Sequence, residues 1–374
     1  MESRKGVPQI PGAASPEGTN RFVSRAIDRH GLPRSHFREV PGRLQLSSIG
    51  LGTYIGAPDS LTDEAVEQAT QVCLQSGRVN VLDTAINYRY QRAERSIGRG
   101  VARTIEGRQL GRDELFVSTK CGYLAPDGES KIAPDRWVET ELVAKEILDP
   151  ADIVDDCHAM SVSYVRDQFD RSRANLGLDT IDLLYLHNAP DAQLPVVGHD
   201  EFLHRLTDAF GLLEELRASG RLGAYGLATW DCLRSARGSP SYFSLEEGVA
   251  VARALAGEGH GFRFVQFPFS VGMPEAAVRR NQMVREEKLT LFEAAQRLGI
   301  GCFTSVPLLQ GQLARVGPVA DGLTAAQTAI QFARSAPGTI GPLVGQKEPT
   351  HVSENLRLAE RAPWDRREFE NYLT

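Results

Sequence analysis

From about residue 43 the chain alternates short, nearly continuous apolar runs with longer stretches of helical period. QLSSIGLGTYIG leads into a helix over 62–77, with Thr62 placed to cap it and Gly77 to end it. The apolar run VNVLD follows, then a helix over 93–107, the run LFVSTK, and a long interruption over 121–160. In the next helix Val165, Phe169, Ser172 and Leu176 share one face, which leads to IDLLYLH. Further on come a helix to Gly220, the run LGAYGLAT, and a helix opened by a capping box from Ser244 to Glu247. FRFVQFPFS, a helix ending in FEAAQRLG, GCFTSVPLL, TAAQTAIQFARSA, TIGPLVG and THVSENLRLAE complete the series. Eight strand-plus-helix units whose strands read as buried on both faces predict a closed parallel (β/α)8 barrel, one domain over 43–374 with an insertion at about 121–160. The rival, a doubly wound open sheet, lacks its glycine fingerprint: GLGTYIG stands where G-x-G-x-x-G belongs. Residues 1–42, beginning MESRKGVPQIPGAASPEGTN, read as a loose, flexible N-terminal arm without the apolar core of a secretory signal.

Composition removes several classes of function. A net charge of −6 leaves no basic footprint for nucleic acid, so a small-molecule partner is expected. No apolar run approaches the roughly 18 residues of a membrane span. Five scattered cysteines without a C-x-x-C pair indicate a reducing compartment, hence the cytoplasm, rather than a disulfide frame. Cys157 and His158 are adjacent potential metal ligands, but no second pair accompanies them, and no metal site is expected.

Three successive apolar runs end on polar groups: VLD on Asp83, VSTK on Lys120 and LYLH on His187. A barrel gathers the C-terminal ends of its strands around one mouth. Any one of these residues could be a cap, a snorkelling chain or a hydrogen-bonded core group. Together they put a carboxylate, an ammonium and an imidazole at one site, with Tyr88 on the loop after the second strand. A buried carboxylate costs several kcal/mol or more unless it is paired; Lys120 is the partner expected for Asp83.

From Leu46 to Glu360 the chain resembles the aldo-keto reductases, which are (β/α)8 barrels that use NADPH or NADH. GLGTY is similar to their first-strand segment and LDTAINYRYQRAERSIG to their D-T-A-x-x-Y signature. VSTK, RSRANLGLDTIDLLYLHN, VQFPFS, SVPLLQGQL and GQKEPTHVSENL match later motifs in order. The resemblance implies a catalytic tetrad of Asp83, Tyr88, Lys120 and His187, in which Tyr88 gives a proton to the developing alkoxide. Lys120 would lower the phenol's pKa, and His187 would hold the substrate oxygen. It also implies that Gln266, helped by Asn188 and Thr229, holds the nicotinamide carboxamide, while Glu354 and Asn355 lie near the adenine. Thr53, Tyr54, Asp83, Leu308, Gln310 and Gly345 would approach the cofactor elsewhere, and Lys347 and His351 are the cations for a 2′-phosphate. NADPH is the expected cofactor, with NADH as the alternative.

Two departures stand out. Ala228 and Thr229 replace the Ser-Asn pair of many members, and the 121–160 segment separates Lys120 from His187 far more widely than is usual. Leaving the third strand on the catalytic face, that segment is expected to wall or cover the substrate pocket. The implied activity is reduction of an aldehyde or ketone, or the reverse oxidation, on a small or medium molecule such as a sugar or specialised metabolite. The alternatives are a Schiff-base barrel using Lys120 and a non-catalytic module that binds cofactor and regulates a partner.

Overall fold

The computed structural model describes residues 9–320 and 322–373. A helix and two strands precede the barrel: α1 (Pro16–His30), β1 (Phe37–Val40) and β2 (Leu44–Ser47). The first half of the barrel runs β3 (Gly50–Gly52), α2 (Ser60–Gln75), β4 (Val81–Asp83), α3 (Arg92–Glu106), β5 (Phe116–Cys121), α4 (Pro134–Val138), α5 (Val162–Leu176) and β6 (Ile181–His187). After it come α6 (Ala189–Val197), α7 (His199–Ala218), β7 (Leu222–Ala228), α8 (Leu245–Ala256) and β8 (Phe262–Pro268). A small unit of α9 (Glu275–Val278), β9 (Gln282–Val284) and β10 (Glu287–Leu289) leads into α10 (Leu291–Leu298). The chain closes with β11 (Gly301–Ser305), α11 (Leu313–Val316), α12 (Ala325–Ser335), β12 (Thr339–Gly345), α13 (Pro349–Leu356) and α14 (Arg366–Glu370).

Eight parallel strands, β3 to β8 with β11 and β12, form a closed barrel in chain order, as the alternating pattern predicts. Inside it Val81, Phe116, Leu183, Tyr185, Phe264, Phe303, Ile340 and Leu343 pack together, and the stacked or tilted rings of Phe116, Phe264 and Phe303 fill its width. A larger core lies between the strands and the outer helices, where Val165, Phe169 and Leu176 of α5 are fully buried. No helix among the described residues is long and apolar enough to cross a membrane.

The expectation of a loose arm is corrected by what precedes β3. Residues 1–8 lie outside the described residues, but the rest is folded onto the barrel. Ser15 caps α1 by accepting from the Gly18 N–H (2.9 Å), Pro16 occupies the first turn, and Gly31 closes the helix in a left-handed conformation (φ 63°). The helix buries Phe22, Val23 and Ala26, and Arg25 makes a two-pronged pair with Glu114 (2.9 Å each). β1 and β2 form an antiparallel hairpin whose Val40 and Leu46 join the barrel's interior cluster. The Pro-, Gly- and Ser-rich opening concealed this helix, because its apolar stripe begins only at Phe22.

Two cap assignments also change. Asp59, not Thr62, caps α2, its carboxylate accepting from the Thr62 N–H at 2.7 Å. Ser244 is the N-cap of α8 but its side chain makes no capping bond. Glu247 turns to His199 (3.1 Å) and Gln282 Oε1 takes the Leu245 N–H (2.9 Å) instead.

The 121–160 segment has structure of its own: α4, a π-helical turn over Glu139–Val143, and a small core in which Trp137, Leu142, Leu148 and Ala159 cluster with Tyr164 of α5. Arg95 holds Asp127 from α3 (2.8 and 2.9 Å), and Arg171 of α5 stacks over Trp137.

The packing of α1 is tested by Phe22→Ala. A fully buried phenylalanine should cost about 3–5 kcal/mol of unfolding free energy in a denaturant titration. A loose arm would change it by less than about 0.5 kcal/mol.

Candidate active site

Strand register brings the polar strand ends to one level. Asp83 pairs with Ser118, Lys120 with Tyr185, His187 with Ala228, and Ala228 with Gln266. Asp83 Oδ2 lies 2.5 Å from Lys120 Nζ, and the two residues are 3% and 1% exposed. Lys120 also donates to the Thr84 carbonyl (2.8 Å), and Asp83 accepts from Ser118 Oγ (2.7 Å) and, at 3.4 Å, from Gln266 Nε2. The lysine ammonium stands 4.9 Å from the centre of the Tyr88 ring. That ring packs edge-on against His187 (5.8 Å) and Tyr54 (5.1 Å). All four residues of the tetrad therefore converge.

Burial opposes charge at this site. It lowers Lys120, but Asp83 and Tyr88 outweigh it and leave the ammonium above its ordinary value. Burial raises the Tyr88 phenol, Lys120 draws it down, Asp83 raises it again, and the net direction is upward. This corrects the expectation of a lowered phenol: Asp83 cancels part of the lysine's field, and desolvation does the rest. Burial, then Lys120 and His158, hold the His187 imidazole well below its usual range. The site thus presents a protonated phenol, a charged lysine and a neutral imidazole at ordinary pH.

The expected cofactor residues fall into two groups. In the first, Gln266 has a buried Oε1 that finds no hydrogen-bond partner among the described residues. An amide N–H₂ is the complement such an acceptor lacks, so the chain fits a nicotinamide carboxamide here. Thr229 Oγ1 donates to the Gln266 main-chain carbonyl (3.3 Å), and Thr53 Oγ1 to that of Asp83 (3.2 Å), so both act on the backbone of the site. Asn188 adopts φ 50°, donating its N–H to the Ala228 carbonyl (2.6 Å) and its Nδ2 to Tyr123 Oη (3.0 Å). Tyr54 is exposed.

The second group follows β11 and β12. Gly345 ends β12, Leu308 packs against the cluster of Ile49, Ile330, Val344 and Leu358, and Gln310 is exposed with φ 53°. Glu354 accepts from Thr324 Oγ1 (2.6 Å), and Asn355 donates to Gln346 (2.7 Å). Glu354 borders a cleft of about 900 Å³ together with Thr324, Gln327, Thr350, Ser353 and Arg357. Neither Lys347, paired with Glu348 at 3.2 Å, nor the exposed His351 lines it; Arg357 does.

Sequence reasoning missed several residues. Asn87 lies 3.2 Å from His187 Nδ1, one residue before the tyrosine of the signature. His158, weighed only as a metal ligand, is fully buried with Nε2 on the His187 carbonyl (2.9 Å) and Nδ1 on Gln193 (3.0 Å). Burial takes its pKa down to about 4. Tyr123, at the start of the insertion, packs edge-on against His187 (5.0 Å). A local motif carries no signal for His158 or Tyr123, since their partners are remote in sequence.

The sequence profile described as "Aldo/keto reductase family" matches residues 48–317. Pyridoxal 4-dehydrogenase of Microbacterium luteolum is 28% identical over 227 residues, 57% of this chain and 59% of that protein. 6-Dehydroglucose reductase of Agrobacterium fabrum is 27% identical over 193 residues, 50% of this chain and 53% of that protein. The chain therefore spans little more than half the length of either relative. Among solved structures, an aldo-keto reductase of Bacillus halodurans superposes with a TM-score of 0.60 at 17% identity, over 90% of this chain and 96% of its own. An aldo/keto reductase of Klebsiella pneumoniae in complex with NADP and acetate gives 0.57 at 16% identity, over 90% and 94%. Both share the fold.

The imidazole protonation states are open to direct measurement. His187 and His158 are neutral in the folded state, whereas their unfolded pKa is about 6.5. Protonation therefore favours unfolding, and the stability they contribute is present above that value and lost as pH falls toward the folded ones. Ring NMR signals of both residues should show no titration midpoint near pH 6.5. A midpoint there would contradict the burial argument.

Proposed function

The chain belongs to the aldo/keto reductase family, and from that premise we propose that it reduces an aldehyde or ketone with NADPH, or oxidises the corresponding alcohol. The convergence of Asp83, Lys120, Tyr88 and His187 carries this reading. When bound, a nicotinamide cofactor supplies the hydride equivalent that the side chains cannot. The chain's own residues supply the proton and the alignment. Tyr88 holds a proton that it releases to the carbonyl oxygen as negative charge develops there, and the adjacent ammonium of Lys120 stabilises the phenolate left behind. His187 is proposed to steady the same oxygen through Nε2–H, a tautomer that requires Asn87, whose Oδ1 stands 3.2 Å from Nδ1, to turn its amide N–H₂ toward that nitrogen. In the oxidative direction the Tyr88 phenolate takes the alcohol proton.

Gln266 is proposed to hold the carboxamide through its unpartnered Oε1. Glu354 and Asn355 would mark the adenine end, with Arg357 beside Glu354 as a cation for a 2′-phosphate; this favours NADPH over NADH. The Schiff-base alternative requires a neutral lysine, and Lys120 is held charged by Asp83. Substrates in the range of sugars and small aromatic aldehydes are in keeping with the names of the two relatives.

Purified protein mixed with NADPH and a panel of aldehydes, ketones and lactols should consume the cofactor's near-ultraviolet absorbance. Tyr88→Phe should lose roughly 10²- to 10⁴-fold in turnover while its NADPH dissociation constant stays near the wild-type value. Retained turnover in that variant would remove Tyr88 from the chemistry. Gln266→Ala, short of one hydrogen bond worth ~0.5–1.5 kcal/mol, should slow single-turnover reduction more than it weakens NADPH binding. An unchanged rate would mean that another group positions the nicotinamide.

A further inference from the structure

Beyond Lys120 the chain leaves β5 at Cys121, and the insertion begins by returning Tyr123 to the catalytic face. Tyr123 is fixed from several sides. Its main-chain carbonyl accepts from Tyr164 Oη (2.9 Å) and Gln168 Nε2 (2.8 Å), and Gln168 Oε1 takes the Gly122 N–H (2.7 Å). The Leu124 N–H donates to the Cys157 carbonyl (2.7 Å), and the Ala159 N–H to that of Gly122 (2.9 Å). Gly122 has φ 132°, and a Cβ there would stand 2.6 Å from His158 Nε2, so only glycine lets the histidine approach. His158 in turn anchors the carbonyl of His187, since Gln193 donates to its Nδ1 and leaves Nε2–H for that bond. Both ends of the insertion are thereby fastened to the backbone and ring of the same imidazole.

The consequence concerns the Tyr123 hydroxyl. The imidazole of His187 packs edge-on against two phenols, Tyr88 at 5.8 Å and Tyr123 at 5.0 Å. Tyr123 Oη accepts from Asn188 Nδ2 (3.0 Å), and among the described residues no acceptor takes its proton. Burial raises this phenol, so the proton is retained at ordinary pH. A half-buried, rigidly held O–H with an unspent proton, beside the groups that would hold a substrate oxygen, is a donor awaiting a ligand acceptor.

We infer that Tyr123 is a specificity-determining residue, donating a hydrogen bond to a second substrate oxygen close to the reacting carbon, so that the preferred substrates are hydroxylated carbonyl compounds and their lactols. A site built to bond a substrate hydroxyl discriminates against the analogue that lacks it, because its polar group is then left unpaired. The small apolar core of the insertion, around Trp137, Leu142 and Leu148, would serve as the rigid support for this one donor. The inference rests on the reductase reading proposed above.

The test compares matched pairs of substrates: 2-hydroxypropanal against propanal with NADPH, and an aldose against its 2-deoxy counterpart with NADP⁺. Wild-type protein should favour the hydroxylated member in kcat/KM, and Tyr123→Phe should reduce that preference roughly three- to tenfold, the worth of one neutral hydrogen bond. An unchanged preference in the variant overturns the inference. So does equal kcat/KM within the pairs for the wild type, a comparison that needs no variant and stands even if Tyr123→Phe fails to fold. Turnover of both members without preference, abolished by Tyr88→Phe, would overturn the role of Tyr123 and leave the reductase reading standing. No turnover of any member, or of the wider carbonyl panel, would overturn both.

Discussion

A lysine and an aspartate meet 2.5 Å apart in the interior of the barrel, and the rest of the site is arranged around that pair. Removing two such charges from water costs several kcal/mol per ion, and the contact offsets this only when the remaining donors and acceptors are also satisfied. Here they are. Ser118 and Gln266 complete the carboxylate, and the Thr84 carbonyl takes a second ammonium proton. Parallel register sets this geometry, since Asp83 lies opposite Ser118 and one strand further on Lys120 lies opposite Tyr185. A well-packed apolar pair would stabilise the barrel as well or better, so the charges are best understood by what they do to Tyr88.

At Tyr88 two influences are balanced. Burial and Asp83 keep the proton on the phenol, while Lys120 stabilises the phenolate. A donor that stays protonated in the resting site yet leaves a stabilised anion is suited to a reaction in which negative charge develops on a neighbouring oxygen. The neutral His187 beside it adds no competing acid. Its position is set from outside the barrel, through the contact of His158 with its carbonyl.

The legible part of this account was written into strand ends. An apolar run closing on Asp83, Lys120 or His187 is visible without any structure, and a barrel's geometry then requires the three to meet. Cap chemistry was less legible, because Thr62 and Asp59, three residues apart, offer equivalent signals and only the backbone chooses between them. The helix over Pro16–His30 was hidden by its opening composition, although its Ser-Pro start and terminal glycine are ordinary helix punctuation. The contributions of Tyr123 and His158 had no local trace. They depend on the ends of a forty-residue segment, 121–160, being brought together by the Tyr123–His158 bridge, a tertiary outcome that no periodicity encodes.

The central claim is that the buried pair is kept for its effect on the phenol and not for stability. Asp83→Asn should destabilise the protein by about 3–5 kcal/mol, because it strands the Lys120 charge. Adding Lys120→Met should recover most of that loss by removing the charge altogether. Carbonyl reduction by the double variant, measured in single turnover with saturating NADPH, should nevertheless remain roughly 10²- to 10⁴-fold below wild type. A double variant that regained both stability and a near wild-type rate would contradict the account.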